Sequence, residues 1–183
     1  MSNGKGSMAI TKLQPIIMAF LAIIIIVSWI WCWWWPVPVT TVYISRHAEK
    51  LNYTSDTPLS PVGEVRALEL AHVLKDEGID AVFVTQFLRT QQTGQPTATE
   101  SGVNVIQYDA GISQEVVDAI LANHIGQQVL VIGHSNTVDD IAIGLGAPGV
   151  PELDELQFDR LFVVHRFGST VHLDRLRYGV ETP

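Results

Sequence analysis

Cysteine is almost absent from this chain. Cys32 is the only one in 183 residues, so no internal disulfide can form, and the redox compartment stays open. Basic charge is scarce as well, with 11 Lys and Arg against 19 Asp and Glu. The first 35 residues hold Lys5 and Lys12 and no acid. Residues 36–183 therefore carry nine basic against nineteen acidic side chains, a net charge of −10. So acidic a domain repels a phosphate backbone, which argues against nucleic acid as a partner. Any phosphate site must be a local basic pocket in an acidic surface. There is no internal repeat, and no low-complexity tract outside the N-terminal segment. The length allows one domain plus an appendage.

The appendage is apolar. Ile16 to Trp35 contains no charge and is interrupted only by Ser28. At about 1.5 Å per residue, a helix of this length spans roughly 30 Å, the thickness of a bilayer core. Trp29, Trp31, Trp33, Trp34 and Trp35 crowd its far end, as an interfacial aromatic belt would. Pro36 and Pro38 then stop the helix. Lys5 and Lys12 precede the run and no basic residue follows before Arg46, which predicts a cytoplasmic segment 1–15, a transmembrane anchor 16–35 and a domain 36–183 outside the cytoplasm, periplasmic or extracellular. A cleaved signal peptide would need a shorter apolar core and a small-residue cleavage site, which the bulky Ser28–Trp35 end does not offer.

The remaining chain alternates strand and helix patterns. Val39–Ser45 is β-branched and apolar, a buried strand. Ser60 and Pro61 open a helix whose apolar stripe reads Val62, Val65, Leu68, Ala71 (or Leu70) and Leu74, and Gly78 ends it. Strands are predicted over 79–85, 103–107 and 128–132, with helices from near Phe87 to Glu100, over 113–125, and after Asn136 through Gly144. Leu161–Arg166 and Thr170–Leu176 form a hairpin around Phe167-Gly168-Ser169. The expected fold is α/β: a three-layer α/β/α sandwich with a mostly parallel sheet and an antiparallel closing edge, preceded by one transmembrane helix.

In such sheets ligands bind beyond the carboxyl ends of the strands. Three strand ends here lead into residues of one kind: Arg46 and His47, then Arg89, then His134. Two guanidiniums can hold a phosphoryl group by forked hydrogen bonds. One neutral imidazole can attack phosphorus, and the second, if protonated, can hydrogen-bond the equatorial oxygens. The cations come from side chains, so neither a metal nor another cofactor is expected. His72, His124, His165 and His172 are scattered and read as surface or packing residues. Asp139 and Asp140 sit in a helix that aims at most one of them inward, and Glu152, Asp154 and Glu155 read as a solvated face.

Arg46-His47-Ala48-Glu49 resembles the Arg-His-Gly-Glu motif of the histidine phosphatase (phosphoglycerate mutase-like) superfamily. Thr57 to Gly63 is similar to that family's Leu-Thr-x-x-Gly approach to its first helix. Leu88-Arg89-Thr90-Gln91-Gln92-Thr93 resembles its Arg-x-x-x-Thr helix, and Val129 to Asn136 its apolar strand ending in a small residue and a His. The four motifs come in the family's order over residues 40 to about 176. The resemblance implies that His47 is the nucleophile that becomes phosphohistidine. It implies that Arg46, Arg89 and His134 form the phosphate pocket. It also places Glu115 near where many members carry a general acid, with Asp109 a second candidate and Glu49 a residue that could orient the pocket. The long insertions of mutases and phytases are missing, so a compact, open site of the short phosphatase branch is expected.

The reading is a membrane-anchored phosphatase acting on a phosphomonoester or phosphoramidate, with a phosphorylated small molecule or phosphoprotein as substrate. The alternatives are a phosphoglycerate mutase-like phosphotransferase, which needs a site that encloses its substrate, and a tethered module that binds a phosphorylated ligand without catalysis.

Overall fold

The computed structural model describes the backbone of residues 7–34, 37–151 and 153–182, with side chains for 16–29 in the first of these stretches. The chain divides into two units, Met1–Val37 and Pro38–Pro183. The first is the helix α1, Ser7–Trp34. Ile16, Phe20, Ile23 to Ile26 and Trp29 are all exposed along it. Among the described residues no helix is long and apolar enough to cross a membrane. All of the segment 1–15, and Trp31, Trp33, Trp34 and Trp35 of the expected anchor, fall outside the described side chains.

In the second unit β1 (Val39–Arg46) is followed by α2 (Pro61–Leu74), β2 (Ala81–Thr85), α3 (Leu88–Ser101) and β3 (Val105–Tyr108). Then come α4 (Ser113–Asn123), β4 (Gln128–Gly133), α5 (Val138–Gly144), β5 (Arg160–Phe167) and β6 (Thr170–Arg177). The sheet runs β3-β2-β4-β1-β5-β6. β1, β2, β3 and β4 are parallel, while β5 and β6 close the edge antiparallel. The period of two along the strands divides the core. Val42, Ile44, Phe83, Val129 and Val131 pack against Val116, Val117 and Ile120 of α4 and Val138 and Ile141 of α5. Tyr43, Val82, Val84, Leu130 and Ile132 face the other way, onto Leu70 and Leu74 of α2 and Ala98 of α3. The result is the expected three-layer α/β/α sandwich.

Two local readings need correction. The second and third strands start two residues later than expected, and the helix from Ser113 ends at Asn123, not Ile125. More important, α2 presents a different face. Val62, Val65 and Leu68 are exposed, and the buried side is Gly63, Arg66, Ala67, Leu70, Ala71 and Leu74. The cause lies in the turn after β1. The Glu49 carbonyl accepts the Ser60 amide at 2.9 Å, and a Cβ at position 63 would collide with that same carbonyl oxygen. Only glycine lets the first turn of α2 come so close. Arg66, one turn on, is buried to reach the Glu49 carboxylate, with its Nε 2.9 and 3.0 Å from the two oxygens. Contact with the loop after β1 sets the rotation of α2, and the hydrophobic stripe yields to it.

Candidate active site

The carboxyl ends of β1, β2 and β4 lie side by side, because Arg46 is in register with Gly133 and β2 pairs with β4. They place Arg46, His47, Arg89 and His134 around one open cavity of about 390 Å³. The two imidazole rings are 5.4 Å apart, edge to face.

His47 is held from three directions. Its amide donates to the Gly133 carbonyl at 3.0 Å, tying it to β4. Its Nδ1 lies 2.7 Å from the Ala48 carbonyl. A carbonyl only accepts, so Nδ1 carries the proton and Nε2 keeps its lone pair. The Ala48 amide donates to Thr93 Oγ1 at 3.0 Å, and that hydroxyl donates to the Arg89 carbonyl at 2.7 Å. This explains the Arg-x-x-x-Thr spacing: one helical turn separates a phosphate ligand from the hydroxyl that fixes the nucleophile's loop. Burial, reinforced by Arg46, His134 and Arg89, pushes the His47 imidazole down to about 3. At neutral pH it is an uncharged nucleophile.

His134 is neutral too, pushed down to about 4 by burial and by the two guanidiniums. Its amide donates to Thr137 Oγ1 at 2.9 Å. Nδ1 is 3.5 Å from an Arg89 NH2 group, which can only donate, so the ring proton sits on Nε2 and goes to Thr85 Oγ1 at 3.1 Å. The protonated second imidazole expected above is therefore not the resting form. A bound phosphoryl dianion would supply the charge that favours it.

Arg46 is buried, with NH1 donating to the carbonyls of Asp154 and Glu155 at 2.9 Å each and Cζ 4.4 Å from the Phe158 ring. Arg89 NH1 donates to the Ser55 carbonyl at 2.9 Å, and its Cζ lies 4.3 Å over Phe87. Each Phe also touches an imidazole, Phe158 that of His47 and Phe87 that of His134. Both guanidiniums are thus pinned by aromatic faces and main-chain oxygens. Yet Nε of Arg46 and Nε of Arg89 are buried without a hydrogen-bond partner. Two guanidiniums beside two imidazoles suit a tetrahedral oxyanion.

Glu115 is not brought to this cavity. Its Oε2 accepts the Asp109 amide at 3.0 Å, and it lines a neighbouring cavity together with Asp109 and Gln86. Asp109 accepts the Gly111 amide at 2.8 Å, so both carboxylates serve the turn before α4. Glu49 is committed to Arg66. Asp154 and Glu155 are exposed, as the solvated-face reading expects, and their main-chain carbonyls bind Arg46. Thr85, Phe87, Phe158 and Arg66 carried no sequence signal, since their roles rest on contacts across the fold. Among the described residues no group of three or more His, Cys, Asp or Glu is placed to hold a metal ion.

The depressed imidazoles set a pH dependence of stability. Unfolded, both take up protons below about 6.5. Folded, they resist until about 4 and 3. The unfolded state therefore binds more protons in that window, and stability falls as pH drops from about 6.5 toward 3. Urea unfolding at a series of pH values should show this slope, and His47→Gln with His134→Gln should flatten it.

Residues 42–112 match the family model of the histidine phosphatase superfamily, branch 1. No curated protein matches the chain. The protein histidine phosphatase SixA, solved with tungstate, is similar at 22% identity and a TM-score of 0.60, over 75% of this chain and 96% of that one. A mycobacterial glucosyl-3-phosphoglycerate phosphatase is similar at 13% identity and a TM-score of 0.60, over 77% and 100%. A phosphoserine phosphatase from Entamoeba histolytica, in complex with phosphoserine, is similar at 15% identity and a TM-score of 0.57, over 75% and 96%. At these identities the structures share the fold. The family match over residues 42–112 and the shared fold agree with the resemblance read from the four motifs.

Proposed function

From a histidine phosphatase fold with its family signature across residues 42–112, we propose a membrane-anchored phosphatase that hydrolyses a phosphomonoester or phosphoramidate through phospho-His47. The observation that carries this reading is the convergence of Arg46, Arg89 and His134 on one open cavity with His47, whose Nε2 lone pair is free. Phosphate oxygens take the guanidinium donors that face the cavity. His47 Nε2 attacks phosphorus, a P–N bond forms and the bond to the leaving group breaks. Water then attacks phosphorus, the P–N bond breaks, and His47 is restored as inorganic phosphate leaves. His134, drawn to its protonated form by the phosphoryl charge, and the two arginines balance charge on the equatorial oxygens.

Tungstate in the SixA structure is a tetrahedral oxyanion of the same kind. That neighbour is a protein histidine phosphatase, which supports a phosphoramidate as one substrate class here. The open cavity supports the same choice and disfavours a mutase, which must enclose and reorient its substrate. For the anchor, the support is the uncharged run Ile16–Trp35, Lys5 and Lys12 before it, and the exposed apolar side chains of α1. With the N-terminus cytoplasmic, the catalytic domain lies on the extracytoplasmic side.

The test is aryl phosphate turnover by the full chain in alkali-washed membranes, with and without EDTA. Activity should stay with the membranes and be undiminished by the chelator, since side chains supply the charge. Activity in the wash contradicts the anchor, and strong inhibition by EDTA contradicts the metal-free site.

A further inference from the structure

An alkoxide leaving group needs a proton, and Glu115, Asp109 and Glu49 are all engaged elsewhere. Among the described residues, Glu155 is the one acidic residue that lines the phosphate cavity. We infer that Glu155, on the turn that Arg46 clamps, is the proton donor to the leaving group. This rests on the phosphohistidine reading above and completes it.

The placement follows from Arg46. Its NH1 donates at 2.9 Å to both the Asp154 and the Glu155 carbonyl, and Phe158 lies beneath its guanidinium. The turn is closed by the Gln157 amide on the Asp154 carbonyl at 3.0 Å. Arg46 thus fixes the Glu155 main chain beside the cavity. Among the charges acting on Arg46, that of Glu155 is the largest and that of Asp154 is smaller. Asp154 does not line the cavity. The Glu155 carboxylate is exposed and takes part in none of the described ion pairs or side-chain hydrogen bonds, so it is free to meet a leaving oxygen.

The proton balance closes over one turnover. As His47 Nε2 forms its bond to phosphorus and the P–O bond breaks, the Glu155 proton passes to the leaving oxygen and the alcohol departs. In the second step the Glu155 carboxylate takes a proton from the water that attacks phosphohistidine. The carboxyl group is restored as the P–N bond breaks. The role selects esters of poor leaving groups, alkyl phosphates, as a substrate class alongside phosphoramidates.

The experiment is steady-state kinetics of the full chain on p-nitrophenyl phosphate, whose leaving group needs no proton, and on an alkyl phosphate such as glycerol phosphate. Glu155→Gln keeps the carbonyl that binds Arg46, and urea unfolding checks that the fold is retained. The preference for aryl over alkyl ester, in kcat/KM, should rise about 100-fold in Glu155→Gln, the usual worth of general acid catalysis. Asp154→Asn should leave that preference where it was. Equal losses on both esters, no loss on either, or the same shift in Asp154→Asn would overturn the assignment. So would a wild-type chain that hydrolyses only the aryl ester. Aryl turnover that depends on His47 would in each of these cases leave the phosphohistidine reading standing. Loss of that dependence would overturn both.

Discussion

His47→Ala hydrolyses an aryl phosphate no faster than background, a loss of at least about 10⁴-fold in kcat. The size of the effect follows from the role. A general base or a phosphate ligand can be partly replaced by water, whereas removal of the nucleophile removes the route. Among the described residues no neighbour is placed to take over. His134 has its Nε2 proton committed to Thr85 and its Nδ1 beside Arg89, so neither nitrogen has a free lone pair. Folding should not be the reason for the loss. Replacing a buried, neutral imidazole with a methyl group leaves a cavity beside Phe158, and the Ala48 amide keeps its bond to Thr93. Urea unfolding at pH 7.5 separates the two explanations. A folded His47→Ala chain with more than a few per cent of wild-type turnover excludes His47 as the nucleophile.

Arg89→Ala should lower kcat/KM on the same substrate by about 10²- to 10³-fold, the usual cost of losing one preorganised donor to a developing oxyanion. Three things go with the guanidinium: an unpartnered Nε, the NH2 contact to His134, and the tie to Ser55. Arg89→Lys should recover less than tenfold of the loss. An ammonium restores the charge, but not the planar fork that stacks on Phe87 while donating from two nitrogens. Full recovery in the Lys variant would mean that charge alone is needed, and that the aromatic and main-chain contacts around Arg89 are incidental. Activity should be read over a range of substrate concentrations, because the loss falls on both binding and the chemical step.

Much of the sheet was legible because its strands are short apolar runs that stop abruptly. Val39–Ser45 and Gln128–Ile132 read as buried strands, and the residues following them read as the site, for the same reason: polarity changes at the sheet edge. The convergence of Arg46, His47, Arg89 and His134 needed only parallel order, which the alternation of strands and helices supplied. α2 was misread because its orientation is set by Gly63 and Arg66 on Glu49, a glycine contact and a buried ion pair that a hydrophobic stripe does not report. The position of Glu115 in the chain suits a catalytic acid, and its carboxylate accepts the Asp109 amide in the turn before its own helix, a contact with no sequence signal. Glu155 went unread because it reaches the cavity through main-chain carbonyls, which any residue type could supply, across 109 positions of sequence.

The central claim is a covalent bond between phosphorus and Nε2 of His47. Rapid-quench mixing of the full chain with a phosphoryl-labelled aryl phosphate tests it directly. The label should appear on the protein within the first turnover, stable to base and labile to acid, and should map to the peptide that contains His47. Turnover without a labelled protein, or a label on any other residue, would contradict the account.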